Sequence, residues 1–142
     1  MIRLKRAYEP AKPSDGYRVL VERLWPRGLR KEDARLDGWL KDIAPSNELR
    51  TWFGHDPERW REFRARYKRE LHAQAAAALL DELTRRAART TVTLVFSTHD
   101  EQQSNATILK ELVERRLSRA APAAKRPAAR ATKNGRASAS AR

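Results

Sequence analysis

The run Thr91–Ser97 restricts the fold more than any other part of the sequence. Its letters, TVTLVFS, are almost continuously apolar and rich in β-branched residues. Such a run is typical of a strand inside a parallel sheet, because helices cover both faces of the sheet and neither face needs polar side chains. It therefore predicts an α/β fold in which helices connect parallel strands.

The rest of the chain supplies the elements that such a strand needs. Alternation of apolar and basic residues predicts a strand over 2–8, and a second apolar run predicts one over 17–24. Apolar periodicity and N-cap residues predict helices over 47–54, 57–71, 74–88 and 104–117. The segment 32–43 also has helical spacing, although Gly38 weakens that prediction. We expect a single three-layer domain with a small, mostly parallel sheet flanked by helices.

Charge and composition divide the chain into a domain, residues 1–117, and a tail, residues 118–142. The tail holds seven of the thirteen net positive charges and has no acid and no large apolar residue. It cannot bury enough apolar surface to offset an ordering entropy of about 1–2 kcal/mol per residue, so we expect it to be disordered. The domain is itself basic, which favours anionic partners such as nucleic acid or anionic metabolites.

Several classes of protein are not indicated. The chain has no cysteine, which excludes disulfides, thiolate metal sites and cysteine nucleophiles. Because no apolar run approaches the roughly 18 residues of a membrane span and no signal peptide is evident, we expect a cytoplasmic protein without a membrane partner. His55, His72 and His99 lack the spacing of metal ligands. Without a Walker or Gly-x-Gly-x-x-Gly motif, the sequence identifies no cofactor.

The loop after the second predicted strand is the first candidate site. Ligands of open α/β sheets bind beyond the carboxyl ends of the strands, where this loop is expected to lie. Arg18, Arg23 and Arg27 could bind a phosphate or carboxylate. Trp25 would line the site, and Gly28 would allow a close backbone approach. The alternative is structural, with a packed tryptophan followed by a tight turn.

The loop after the last predicted strand is the second candidate. Ser97 could bind the same ligand, and His99 with Asp100 could move a proton. If the two strands are parallel, their loops share one edge of the sheet, and we expect a concave pocket between them. The alternative is an ordinary polar loop that ends at Ser104, the expected N-cap of the last helix.

His55 is a third candidate, as an acid or base. Asp56 before Pro57 is more simply an N-cap, and Ser46 is the expected N-cap of the preceding helix. Ser46, His55 and Asp56 are the residue types of a hydrolase triad. However, the serine lacks a glycine-flanked elbow, and adjacency in sequence is not the geometry that a triad requires.

The predicted helix over 57–71 is rich in basic residues, namely Arg59, Arg61, Arg64, Arg66, Lys68 and Arg69. A charge run of this kind usually lies on a solvated face, stabilised by pairs such as Glu62 with Arg66. Together with residues 118–142, the same helix could contact phosphate backbones, and the chain would then be a nucleic-acid-associated protein.

Two long motifs resemble a known family. Residues 18–29, RVLVERLWPRGL, and the segments WLKDIAPS (39–46) and LRTWFGHDP (49–57) resemble signatures of the YeaO-like branch of the domain of unknown function 488 family. The aromatic helix with Trp60, Phe63 and Tyr67 fits the same family, and the resemblance covers about residues 1–117. It implies a small bacterial α/β protein with no established activity, cofactor or partner.

One departure from the family pattern concerns chemistry. The family often has an acid, a histidine and an asparagine after the last strand, and here Gln103 stands where the histidine would fall. If that histidine is needed for a reaction, this chain is altered in it. Three hypotheses follow: a domain that recognises an anionic small molecule, as a binding protein or an enzyme; a nucleic-acid-associated protein; and a non-catalytic interaction module.

Overall fold

Four parallel strands form the sheet of the computed structural model, which describes residues 1–100 and 102–125 and the side chains as far as residue 119. The strands are β1 (Ile2–Arg6), β2 (Tyr17–Leu20), β3 (Gly38–Trp39) and β4 (Val92–Phe96), in the order β1-β4-β2-β3. The predicted α/β class with a parallel sheet is confirmed. The apolar run that predicted it is β4, which is buried along its whole length between β1 and β2.

In the described part of the chain, five helices accompany the sheet: α1 (Lys31–Ala34), α2 (Asn47–Phe53), α3 (Trp60–Glu70), α4 (Gln74–Arg89) and α5 (Asn105–Lys125). Short 3-10 helices lie at Pro13–Asp15, Lys41–Ile43 and Pro57–Arg59. Within the described ranges, no helix is long and apolar enough to cross a membrane.

The two faces of the sheet are covered very unequally. Val92, Leu94 and Phe96 of β4 belong to the main core, which also contains the buried apolar residues of α2 to α5. On the opposite face, Val95 packs in a small cluster with Ala7 and Leu20. The strand alternation thus sends one set of side chains into a thick helical layer and the other into a thin layer of loops and α1.

Three N-caps predicted from the sequence are confirmed. The hydroxyl of Ser46 accepts from the amide of Leu49 at 3.1 Å, and the carboxylate of Asp56 accepts from the amide of Glu58 at 3.0 Å. The Ser104 hydroxyl likewise accepts from the amide of Thr107 in the first turn of α5.

The second strand is shorter than the predicted 17–24. β2 ends at Leu20, one further backbone hydrogen bond joins Val21 to Val95, and the chain then leaves the sheet. The side chain of Glu22 turns to the loop after β4 instead of continuing the strand alternation. The apolar pattern of residues 17–24 could not predict this early end of the strand, because the end depends on the contact between Glu22 and the distant Ser97.

The segment 32–43 does not form one helix, because α1 and the 3-10 helix Lys41–Ile43 occupy only its two ends. After α1, Arg35 adopts a left-handed conformation that ends the helix, and Gly38–Trp39 pairs in parallel with Val19–Leu20. A side chain at Gly38 would meet the hydroxyl of Tyr17 and a methyl group of Val19 at 3.3–3.4 Å, so glycine suits this close strand pairing.

The last helix is longer than the predicted 104–117, since α5 extends to Lys125. Residues 118–125 lack large apolar side chains. Six of them are alanine, arginine or lysine, which are strong helix formers, whereas Pro122 lacks the N–H group that a backbone hydrogen-bond ladder requires. Of the tail predicted to be disordered, residues 126–142 lie outside the described residues.

Candidate functional site

A cavity of about 300 Å³ opens at the carboxyl ends of β2 and β4. Its wall is built from five segments of the chain. Two segments come from the loops at the strand ends: residues 22–27 after β2, and Ser97, Thr98, Gln103, Ser104 and Asn105 from the end of β4 to the first residue of α5. The other three are Ala44 with Pro45, the α2 residues Arg50 and Phe53 with His55, and Phe63 of α3. The loops after β2 and β4 therefore meet at one edge of the sheet, as the parallel strands require.

Glu22 ties these two loops together. Its carboxylate accepts hydrogen bonds from the Ser97 amide at 3.0 Å and the Ser97 hydroxyl at 2.6 Å, with the Thr98 hydroxyl at 3.4 Å. The backbone carbonyl of Glu22 also accepts from the indole of Trp39 at 2.6 Å. This one residue fixes the shape of the cavity mouth by closing the gap between neighbouring strand ends.

Three arginines give the cavity its charge. Arg23 is half-buried, and its guanidinium donates to the carbonyls of Pro45 and Ala44, each at 3.2 Å. Arg27 and Arg50 are exposed, and among the described residues the Arg50 guanidinium makes one long hydrogen bond, of 3.4 Å, to Asn47. Against these three guanidinium groups, Glu22 is the one carboxylate among the described residues that line the cavity, so the described lining has a net positive charge.

Aromatic rings form the apolar part of the wall. Phe53 and Phe63 are buried and stacked, with ring centroids 4.4 Å apart. Trp25 is held by a hydrogen bond of 2.7 Å from its indole to the carbonyl of Leu29 and by an edge contact with Trp39. These rings are packed by their neighbours before any ligand enters, so the wall is preformed.

Asn105 contributes a buried amide at the start of α5. It is 8% exposed, and its side-chain nitrogen donates to the carbonyl of Val21 at 2.8 Å. The same nitrogen lies 3.5 Å from the hydroxyl of Tyr67, which donates to the carbonyl of Ile43. Burial raises the pKa of the Tyr67 phenol far above its usual value, so this group stays protonated and acts as a structural donor.

Arg18 and Gly28, both predicted for the site, do not line this cavity. The guanidinium of Arg18 is 4% exposed and donates to Asp15 at 2.7 Å and to the carbonyls of Ala34 and Arg35. Its side chain belongs to the thin layer on the other face of the sheet. Gly28 occupies a positive-φ turn, and a Cβ there would meet nothing within 4 Å.

Of the candidate acid–base residues, His55 lines the cavity and His99 and Asp100 do not. His55 is exposed, has a positive φ of 58° and lies with its ring 5.7 Å from that of Phe53. His99 is 3.5 Å from the Arg6 guanidinium, and the Asp100 carboxylate accepts from the amides of Gln102 and Gln103. The loop after β4 is thus split, with Ser97 at the cavity and Asp100 stabilising the turn that follows.

The serine, histidine and aspartate near residue 50 do not form a triad. The hydroxyl of Ser46 donates to Glu70 at 2.6 Å and caps α2, while the carboxylate of Asp56 caps the short helix that follows. Over residues 1–100 and 102–125, no group of histidine, aspartate and glutamate side chains is arranged to hold a metal ion.

Of the six basic residues at positions 59–69, three form salt bridges with acidic side chains. Arg64 pairs with Glu111 at 2.7 Å, and Arg59 and Arg66 pair with Asp56 and Glu62. The guanidinium groups of Arg59 and Arg66 also lie over the ring of Trp52, 5.2 and 4.4 Å from its centre. These contacts agree with the solvated, ion-paired face that the charge spacing indicated.

Comparison with known proteins places the chain in a family. Residues 1–132 match the family described as the inactive DUF488-N3 subclade. The chain belongs to this family, DUF488-N3i. An uncharacterised protein of Mycobacterium tuberculosis is 49% identical over 115 residues, which cover 81% of this chain and 95% of the relative. The uncharacterised protein YeaO of Escherichia coli is 43% identical over 112 residues, covering 78% and 94%. No solved structure matches the chain.

Among the cavity residues that sequence reasoning missed, three have polar side chains that shape or charge its wall: Glu22, Arg50 and Asn105. Glu22 carried no signal beyond its place in an apolar strand pattern, and Arg50 lies on a helix that looked merely amphipathic. Asn105 lies one residue beyond the stretch 101–104 that the resemblance compares, and no pattern in the sequence singles it out. Its importance becomes visible only with its hydrogen bond to Val21, 84 residues away.

Proposed function

We propose that this chain is a cytoplasmic protein whose cavity binds a small anionic molecule through a phosphate or carboxylate group. One observation carries the proposal. The loops after two adjacent parallel strands enclose a space of about 300 Å³, and Arg23, Arg27 and Arg50 line it. This is the edge of the sheet at which α/β proteins bind ligands.

The chemistry of these arginines supports an anion. A guanidinium offers forked N–H donors that match the oxygens of phosphate and carboxylate, and charge-assisted hydrogen bonds are about twice as strong as neutral ones. Arg23 is held in place by two backbone carbonyls, while most of the guanidinium donors of Arg27 and Arg50 make no hydrogen bond to the residues that the structure describes. The exposed pair can therefore turn to a ligand without breaking the fold.

We propose binding without turnover. Gln103 lines the cavity at the position where the resemblance places a histidine, and a carboxamide does not ionise near neutral pH and so cannot act as a general acid or base. His99 and Asp100 lie outside the cavity wall, and His55 is exposed at its rim. The family's description as an inactive subclade agrees with this reading.

The test is a calorimetric titration of the full chain with ribose 5-phosphate and with inorganic phosphate. Arg27→Gln and Arg50→Gln should each weaken binding of both probes by about 10-fold or more, because each removes one charged hydrogen-bonding partner. Arg85→Gln, the same change on an exposed part of α4 away from the cavity, is the matched control and should leave the affinity unchanged. Equal affinities in all three variants would refute the proposed site.

A further inference from the structure

The carboxylate of Glu22 is a group that binding a simple anion does not require. It lines the same cavity as Arg23, Arg27 and Arg50. A fixed negative charge in the wall repels an anionic ligand and so weakens its binding. A cavity that keeps both signs of charge in its wall is better matched by a ligand that carries both signs as well.

No cation of the described residues pairs with Glu22. Its carboxylate takes part in none of the ion pairs of this part of the chain. The hydrogen bonds that hold it come from uncharged groups, the Ser97 amide and the hydroxyls of Ser97 and Thr98. Arg23, the next residue, donates to two backbone carbonyls instead. Neutral donors therefore fix the position of the carboxylate and leave its charge without a counter-charge.

One oxygen of Glu22 can accept a further donor. Oε2 accepts from the Ser97 amide and the Thr98 hydroxyl, whereas Oε1 accepts from the Ser97 hydroxyl alone among the described residues. A carboxylate has about four lone-pair sites, two on each oxygen, so Oε1 keeps one acceptor position. Because Glu22 lines the cavity, a ligand in the cavity can supply that donor.

The positive charges of the cavity are likewise without acidic partners. Within the described residues, neither Arg27 nor Arg50 forms an ion pair. At about 300 Å³ the cavity is at the small end of ligand pockets, which span roughly 300–1,000 Å³, so both signs of charge border one small space. A single small molecule can therefore satisfy the carboxylate and the arginines together.

We propose that the ligand carries an ammonium group in addition to its phosphate or carboxylate. The anionic group binds Arg27 and Arg50, and the ammonium group donates to Oε1 of Glu22. This inference rests on the proposed anion site and specifies its ligand class, small zwitterionic amines. Glu22 is the residue that determines specificity, because its charge favours an amine over the same molecule without the amino group.

Matched probes test for the ammonium group. Phosphoethanolamine has a phosphate and an ammonium group, ethyl phosphate lacks the amino group, and 2-hydroxyethyl phosphate has a neutral hydroxyl in its place. β-Alanine and propionate make the same comparison for a carboxylate. By calorimetry with the full chain near neutral pH, we expect the amine of the preferred pair to bind at least about 10-fold more tightly than its amine-free analogue, the effect of a hydrogen bond between charged groups. The tighter-binding amine identifies the anionic group as phosphate or carboxylate.

Glu22→Gln separates the charge of this residue from its structural role. Glutamine keeps an oxygen for the Ser97 amide but has no charge. The preference for phosphoethanolamine over ethyl phosphate should fall to about 3-fold or less, while ethyl phosphate should bind as tightly as before or more tightly, because a like charge has been removed. A purely structural role would weaken both probes alike. Glu114→Gln, the same change on an exposed residue of α5 outside the cavity, is the matched control and should keep the full preference.

Equal affinity of the wild type within both pairs of probes would overturn this inference, and so would a full preference in Glu22→Gln. If that variant does not fold, the wild-type preference for phosphoethanolamine over 2-hydroxyethyl phosphate decides. The anion site would survive a negative result if ethyl phosphate or ribose 5-phosphate still binds and Arg27→Gln still weakens that binding. Binding of none of these probes would overturn both proposals.

Discussion

Arginines lie in two places around the sheet, and they differ in how many hydrogen bonds they make to the rest of the protein. Arg18, beside the start of β2, is buried with Asp15, and its donors are used by a carboxylate and two backbone carbonyls. Arg27 and Arg50, beyond the ends of the strands, are exposed and have few contacts with the protein. Whether an arginine is available to a ligand therefore depends on its partners within the protein and not on its distance from a strand end.

At the Arg18 site, ion pairs and hydrogen bonds compensate for the burial of the Asp15 carboxylate. Asp15, 1% exposed, accepts from Lys5 at 3.0 Å and from Arg18 at 2.7 Å, and its carboxylate also caps the amide of Lys12. Removing one member of such a group leaves the others buried and unpaired, which costs far more than losing a surface pair. The largest effects of substitution should therefore occur here, and they should concern stability.

Asp15→Ala should lower the free energy of unfolding by about 3–5 kcal/mol, because Lys5 and Arg18 lose their shared acid. Urea denaturation of the full chain measures this. Glu32→Ala, which removes an ion pair whose two side chains are about 70% exposed, is the control and should cost at most about 1 kcal/mol. Similar decreases in the free energy of unfolding for both variants would show that the buried ion pairs of Asp15 contribute no more to stability than a surface pair.

Gly16 and Gly28 show the same contrast in the backbone, since one is closely packed and the other is not. Gly16, next to Asp15, has φ of +66°, and a Cβ there would lie 2.3 Å from the carbonyl oxygen of Thr91. Gly28, near the cavity, has φ of +76° but open space around it. Gly16→Ala should therefore cost at least about 2 kcal/mol, and Gly28→Ala only the strain of the left-handed conformation, about 1 kcal/mol. Thermal and urea unfolding measure both, and an equal cost would contradict the close approach at Thr91.

The pH dependence of stability should reflect Asp15. Burial by itself raises the pKa of this carboxyl, but hydrogen bonds from the Lys12 amide, Lys5 and Arg18 outweigh it and hold the pKa below its ordinary value of 3.8. The charged acid therefore stabilises the fold above about pH 4, and this contribution is lost as the pH falls through the pKa of the folded state. Its size should be about 1–3 kcal/mol, as for a hydrogen bond to a charged group.

Asp15→Asn isolates that effect from other acids such as Glu111, whose pKa is also lowered, mainly by its hydrogen bond from Arg64. The difference in unfolding free energy between the wild type and Asp15→Asn should be largest near pH 6 and shrink towards pH 2. A difference that stays constant over this range would show that the charge of Asp15 is not responsible.

The sequence predicts the elements whose signal is local. The continuous apolar run of β4 is enough to predict a parallel sheet, and the stripe Phe63, Tyr67 and Leu71 is enough to place α3 in the core. The two-residue strand β3 could not be predicted in this way. Its pairing depends on β2 and on the absence of a side chain at Gly38, and neither is a periodic pattern.

The candidate site was predictable at the level of its loops and not of its side chains. Parallel strands bring the loops containing Arg23 and Ser97 to one edge, so the meeting of those loops follows from the pattern alone. The burial of Arg18 does not follow from the pattern, because it depends on the partners Asp15, Ala34 and Arg35, which lie in the turns before and after β2. The contribution of α2, through Arg50, depends on a packing angle that sequence periodicity does not encode.

The central claim is that anions bind beyond the strand ends and not at the buried Arg18 site. The most direct measurement is a titration of the ¹⁵N-labelled chain with ribose 5-phosphate, followed by the backbone amide signals. We predict saturable shifts concentrated in residues 22–27, 97–98 and 103–105, with the amides of Asp15 to Arg18 unchanged. Shifts centred on Asp15 to Arg18 or on the basic helix α3, or no saturable shift at the cavity, would contradict the account.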